Sequence, residues 1–197
     1  MKKILLFVAL VLAALTLVSC GEPAVAPVKG KQELTGAEMA LKIYANGAFY
    51  GEGGNTFIKV VADPVELAYY NETDRVPTLV SNHETFLNGR KDAWETLEES
   101  GASFTYEIVR TTNVGEEDLA LVKDYFVNEE EYGYTAEDIE EVVILDVKAL
   151  LIVNGTAAPY SLNLLHPDKI SEMPFVKIKG VWCYKSFLTK DFISELK

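Results

Sequence analysis

The apolar residues of this chain follow three different patterns in turn. From Ile4 to Val18 they form an unbroken run, preceded by Lys2 and Lys3. Residues 21–34 carry two prolines and two glycines and show no period. From Ala37 onward the spacing becomes three and four: Ala37, Ala40, Leu41, Tyr44, Ala45 and Ala48 fall on one face, which predicts an amphipathic helix. Thr35 and Glu38 have the spacing of a capping box ahead of it, and Gly51-Glu52-Gly53-Gly54 ends it. Asn55 is the expected cap of a short second helix carrying Phe57, Val60 and Val61, and Asp63-Pro64 opens a third. Pro77 begins a longer helical stretch towards Ser100, with Leu79, Val80, Phe86, Leu87, Trp94 and Leu97 apolar. Asn88-Gly89 is read as a kink or break within it, and Gly101 as the stop.

After Gly101 the period drops to two. Phe104, Tyr106 and Ile108 alternate with Thr105, Glu107 and Val109, as in a half-buried strand. Glu116-Glu117-Asp118 then starts a helix whose Leu119, Val122, Tyr125 and Phe126 share a face, and Thr135 to Asp138 has the form of a further helix start. Val142 to Val153 is a β-rich run ending in the hairpin signal Asn154-Gly155, with Tyr160 to Leu165 as the returning strand. Phe175 to Tyr184 makes a last hairpin with Gly180 at its turn. Helices first, then four to five antiparallel strands with one helical insertion after the first, is the order of an α+β domain.

The N-terminal run resembles a secretory signal: charged start, apolar centre, small-residue exit. It is short of the roughly 20 residues that span a bilayer. Its end, Leu17-Val18-Ser19-Cys20, resembles the lipobox of bacterial lipoproteins. That resemblance implies cleavage before Cys20, a diacylglyceryl group on its thiol with palmitate among the acyl chains of the lipidated cysteine, and a protein held on the extracytoplasmic face of a cell membrane. The expected organisation is a signal peptide over 1–19, a lipidated cysteine and flexible spacer over 20–34, and one α+β domain over 35–197.

Charge narrows the partners. The chain carries −12, and without Lys2 and Lys3 it carries −14, which disfavours nucleic acid and anionic headgroups. Eleven acids and one base, Lys123, lie between Glu116 and Glu141; the stretch reads mainly as solvated surface and lacks the spacing of an EF-hand. Cys183, in Trp182-Cys183-Tyr184, has no partner if Cys20 is acylated and reads as a buried apolar residue. His83 and His166 pair with no carboxylate at a recognisable spacing, and no nucleophile elbow, P-loop, zinc motif or dinucleotide fingerprint is present, so neither a catalytic residue nor a cofactor is expected.

The helical first half with Ala48-Phe49-Tyr50-Gly51, the meandering strands and the closing Val176-Lys177-Ile178-Lys179-Gly180-Val181-Trp182-Cys183-Tyr184 together resemble nuclear-transport-factor-2-like domains. A cystatin-like arrangement is the rival. The resemblance implies a cone in which a curved sheet wraps around helices, and a superfamily that includes isomerases and cyclases. Tyr44, Tyr106, Trp182 and Tyr184 are the candidates to line an apolar pocket near the sheet mouth. The function expected is non-enzymatic: a lipid-anchored domain that binds a small apolar ligand or an envelope protein. A small isomerase- or dehydratase-type enzyme and a structural part of an envelope complex are the alternatives.

Overall fold

The structure is a computed structural model and describes residues 36–129, 131–162 and 170–197. The lipobox with Cys20, the spacer, the Thr35 cap and His166 lie outside the described residues.

The period-3.6 half folds as expected into helices. Helix α1 (Gly36–Ala45) buries Ala37, Ala40, Leu41, Tyr44 and Ala45 and runs into a π-helical turn over Asn46–Tyr50, closed by Gly51 at φ 72°. Helix α2 (Gly54–Val61) starts after Gly53, not at Asn55. Helix α3 (Pro64–Glu72) is capped by Asp63 as the Asp-Pro pair predicts, and Glu66 completes a capping box by accepting the Asp63 N–H. Helix α4 (Val76–Glu99) is continuous through Asn88-Gly89, so the helix does not break there. One glycine costs a helix interior about 1 kcal/mol, too little to interrupt 24 residues anchored by buried Leu87.

The period-2 half forms a curved, unclosed antiparallel sheet of five strands. Strand β1 (Ser103–Asn113) pairs with β2 (Ile139–Val153) from Val143 to Ile152, with a bulge at Val109. The other edge of β2 is shared: β3 (Thr156–Tyr160) pairs with its second half, and β4 (Ser171–Ile178) with its first. Strand β5 (Val181–Tyr184) pairs with β4 through a turn in which Lys179 and Gly180 both have positive φ, the geometry of a tight hairpin. Helix α5 (Glu116–Asn128) is the insertion after β1, and α6 (Lys190–Glu195), not expected from the sequence, follows β5.

Two boundaries differ from expectation. Thr135 to Asp138 is a single turn, not a helix start: the Asp138 carboxylate accepts the Thr135 N–H as a capping-box residue would, but the chain enters β2 at Ile139 before a helix can follow. The return strand begins at Thr156, directly after Asn154-Gly155, rather than at Tyr160.

Alternate residues of β2 serve two cores. Val143, Leu145, Val147, Ala149 and Leu151 face α1, the π turn, α2 and Leu87 of α4, together with Phe104, Met173, Phe175 and Tyr184. Val142 and Ile144 face the other way, with Val176, Ile178, Val122, Phe126, Leu188 and Ile193. The sheet is thus covered on both faces, and the second cover, from α5 and α6, is what the sequence pattern did not reveal. On the first face the packing is tight: a Cβ placed on Gly47 would lie 2.0 Å from a Phe57 ring carbon. Gly47→Ala is expected to cost about 1–3 kcal/mol through forced repacking, measurable by urea unfolding.

Candidate functional site

Strand β5 delivers consecutive side chains to different places, and both candidate regions meet at its end. Tyr184 faces the helices. It is buried, its ring centroid is 4.3 Å from that of Tyr44 on α1 and 5.6 Å from that of Phe175. Burial, more than any neighbour, pushes the Tyr44 phenol up to about 12, and raises that of Tyr184 as well. Both therefore remain protonated donors at neutral pH. The two phenols act on each other as weak hydrogen-bond partners, which on its own lowers the Tyr44 pKa and raises that of Tyr184, but not in a geometry that satisfies the buried Tyr184 hydroxyl. Among the described residues, the Tyr184 hydroxyl is a buried side-chain group with no hydrogen-bond partner in good geometry. A buried polar group left unpaired costs about 1–3 kcal/mol, so its presence calls for an explanation.

The other two sequence candidates stand apart from this pair. Trp182 packs on the start of α1, so closely that a Cβ on Gly36 would fall 2.1 Å from its indole nitrogen, and it pairs in register with Lys177 as the hairpin implies. Tyr106 belongs to an aromatic group around Phe104, with Phe49 stacked 3.9 Å from Phe104, Tyr160 and Tyr50 set edge-on to Phe49, and Trp94 tilted against it. The structure brings Tyr44 and Tyr184 together, and places Trp182 and Tyr106 elsewhere on the same core.

On the other side of β5 lies a buried ionic cluster that the sequence showed only as a helix cap. Asp63 is fully buried and its carboxylate oxygens are all engaged. Oδ1 accepts the Val65 and Glu66 N–H groups at 2.8 and 3.0 Å, and Oδ2 accepts the Tyr134 hydroxyl at 2.6 Å. Lys185 Nζ lies 2.7 Å from Asp63 Oδ2 and 2.7 Å from Glu66 Oε1. Burial alone would lower the Lys185 ammonium, but the two carboxylates override it and hold its pKa above the ordinary lysine value. Burial, then the nearby Asp63 charge, keeps the Tyr134 phenol protonated. The cluster ties the start of α3, the loop before β2 and the end of β5 to one another. The missed signal was Lys185 itself, a lone base directly after an apolar strand.

The remaining reactive groups are similarly occupied. Burial, with Asp63 nearby, pushes the Cys183 thiol up to about 12, so the thiolate nucleophile is not formed at neutral pH. His83 hydrogen-bonds through Nδ1 to the Leu79 carbonyl at 2.8 Å on its own helix. Part of the acidic stretch fastens the sheet instead of merely facing water: Glu140 bonds Lys177 and the Gly180 N–H, and Asp138 pairs with Lys179. Further along β2, burial would raise the Asp146 carboxyl, but Lys190 and Arg110 bond it and hold it below the usual range. Among the described residues no group of three or more metal-ligating side chains is assembled, and no helix is long and apolar enough to cross a membrane.

No family model, curated protein or solved structure matches the chain.

Proposed function

We propose that this chain is a lipoprotein, anchored through Cys20 on the extracytoplasmic face of a membrane, whose nuclear-transport-factor-2-like domain binds a small, largely apolar ligand without transforming it. The observation that carries the binding reading is the unpaired Tyr184 hydroxyl, a protonated donor set among the rings of Tyr44 and Phe175. A polar group of the ligand would take up that donor, while the surrounding rings and aliphatic side chains would contact its apolar part. The non-catalytic reading is supported by the state of the ionisable groups nearby: Asp63, Glu66 and Lys185 spend their hydrogen bonds on one another, and the Cys183 thiol is protonated.

Native mass spectrometry of the protein purified from membranes in mild detergent tests the ligand. A stoichiometric small-molecule adduct supports the reading, and a bare protein mass counts against it. The anchor is tested separately. Cys20→Ser is expected to abolish lipidation, leaving the protein uncleaved or released; continued processing and membrane retention of that variant would refute the lipoprotein assignment. A single acyl chain holds a protein only marginally, so stable retention of the wild type requires two or more.

A further inference from the structure

A second aromatic cluster, remote from the helix-facing core, remains partly open to solvent. Tyr69 and Tyr70 on α3 and Tyr132 in the turn after α5 meet almost edge to face, with centroid separations of 5.3 Å (Tyr69–Tyr132), 5.7 Å (Tyr69–Tyr70) and 6.2 Å (Tyr70–Tyr132). All three are half-buried. Rings that meet edge to face and are only half-buried keep part of their surface accessible, and the face of an aromatic ring attracts cations. One cation already uses it: the Arg75 guanidinium lies 5.9 Å over the Tyr69 ring. Two carboxylates lie near the group, one of which, Glu66, also holds Lys185. Its hydrogen bond to Tyr70 and then burial keep the Tyr132 hydroxyl protonated, with smaller contributions from Glu131 and Glu66.

We infer that the Tyr69–Tyr70–Tyr132 face is a docking surface for arginine side chains of a basic polypeptide partner. Guanidinium is planar and weakly hydrated and stacks on aromatic faces, whereas the lysine ammonium keeps its water and gains mainly from charge. The acidic surroundings draw a basic segment in, and the rings select arginine within it. Arg75 is an intramolecular occupant that a partner's arginine displaces. This surface is separate from the Tyr44–Tyr184 region, so either proposal can fail without the other.

The test titrates the full domain with hexa-arginine and hexa-lysine in low-salt buffer, reading the Tyr69, Tyr70 and Tyr132 ring resonances by NMR. Hexa-arginine is expected to bind about two- to fivefold more tightly than hexa-lysine, the size of one exposed cation–aromatic contact. Arg75→Ala is expected to tighten hexa-arginine binding by a similar factor and to leave hexa-lysine unchanged. Tyr132→Phe, which keeps the ring, is expected to retain the preference, and Tyr69→Ala to remove it. Equal affinity for the two peptides, a preference that survives Tyr69→Ala, or peptide-induced shifts confined to other residues would overturn the inference.

Discussion

Replacing Lys185 by Ala is expected to lower the unfolding free energy by about 3–5 kcal/mol, the largest effect of any single side chain outside the apolar core. The magnitude follows from asymmetry: removing one partner of a buried ion pair strands the other charge without water or counterion. Asp63 is fully buried and would keep its backbone and Tyr134 donors, but lose the only cation it touches among the described residues. For a chain of this size each kcal/mol moves Tm by about 2–4 °C, so calorimetry should record a fall on the order of 10 °C. The double variant Asp63→Asn with Lys185→Met should recover part of the loss, because it removes both charges; a double variant no better than the single would show that the cost is packing alone. The pH dependence has a definite sign. The folded-state pKa of Lys185 is raised, so its contribution is complete below the ordinary lysine value of about 10.4 and is lost as pH climbs through the folded value. Wild-type stability should therefore decline at alkaline pH more steeply than that of the double variant.

Tyr184→Phe is expected to do the opposite. It removes a hydroxyl that has no partner while keeping the ring against Tyr44 and Phe175, so the ligand-free domain should gain about 1–3 kcal/mol. A wild-type residue that a single-atom deletion improves in stability is one whose retention is explained by something other than folding, and binding is the explanation proposed. An unchanged or lowered Tm would mean that the hydroxyl is already satisfied, and with it the motive for a ligand there would go. The contrast between Lys185 and Tyr184 is informative because the two residues are adjacent. One side chain enters a polar cluster whose hydrogen bonds are complete, the other an aromatic interior where one is missing.

The backbone was largely legible in the sequence wherever one face of an element is buried. The three-and-four spacing from Ala37 to Ala48 gave α1, and Asn154-Gly155 and Gly180 gave the two hairpin turns. The errors share a cause: local signals lost to tertiary context. Gly89 did not break α4 because Leu87 and its neighbours hold the helix to the core. Thr135 did not start a helix because the chain from Ile139 is committed to β2 and its pairing with β4. Long-range pairing was not legible at all. Nothing in a linear pattern says that Lys185 reaches an Asp 122 positions earlier, since a helix cap and a lysine after a strand each have ordinary local readings. The same holds for the four aromatic candidates. Their apolar spacing marked them as interior, but only the packing separates Tyr44 and Tyr184 from Trp182 and Tyr106.

The central claim, a ligand met by Tyr184, is tested most directly by native mass spectrometry of wild type and Tyr184→Phe purified side by side from membranes. The account predicts a small-molecule adduct on the wild type that is lost or strongly depleted on the more stable variant. An adduct of equal occupancy on both proteins would contradict it.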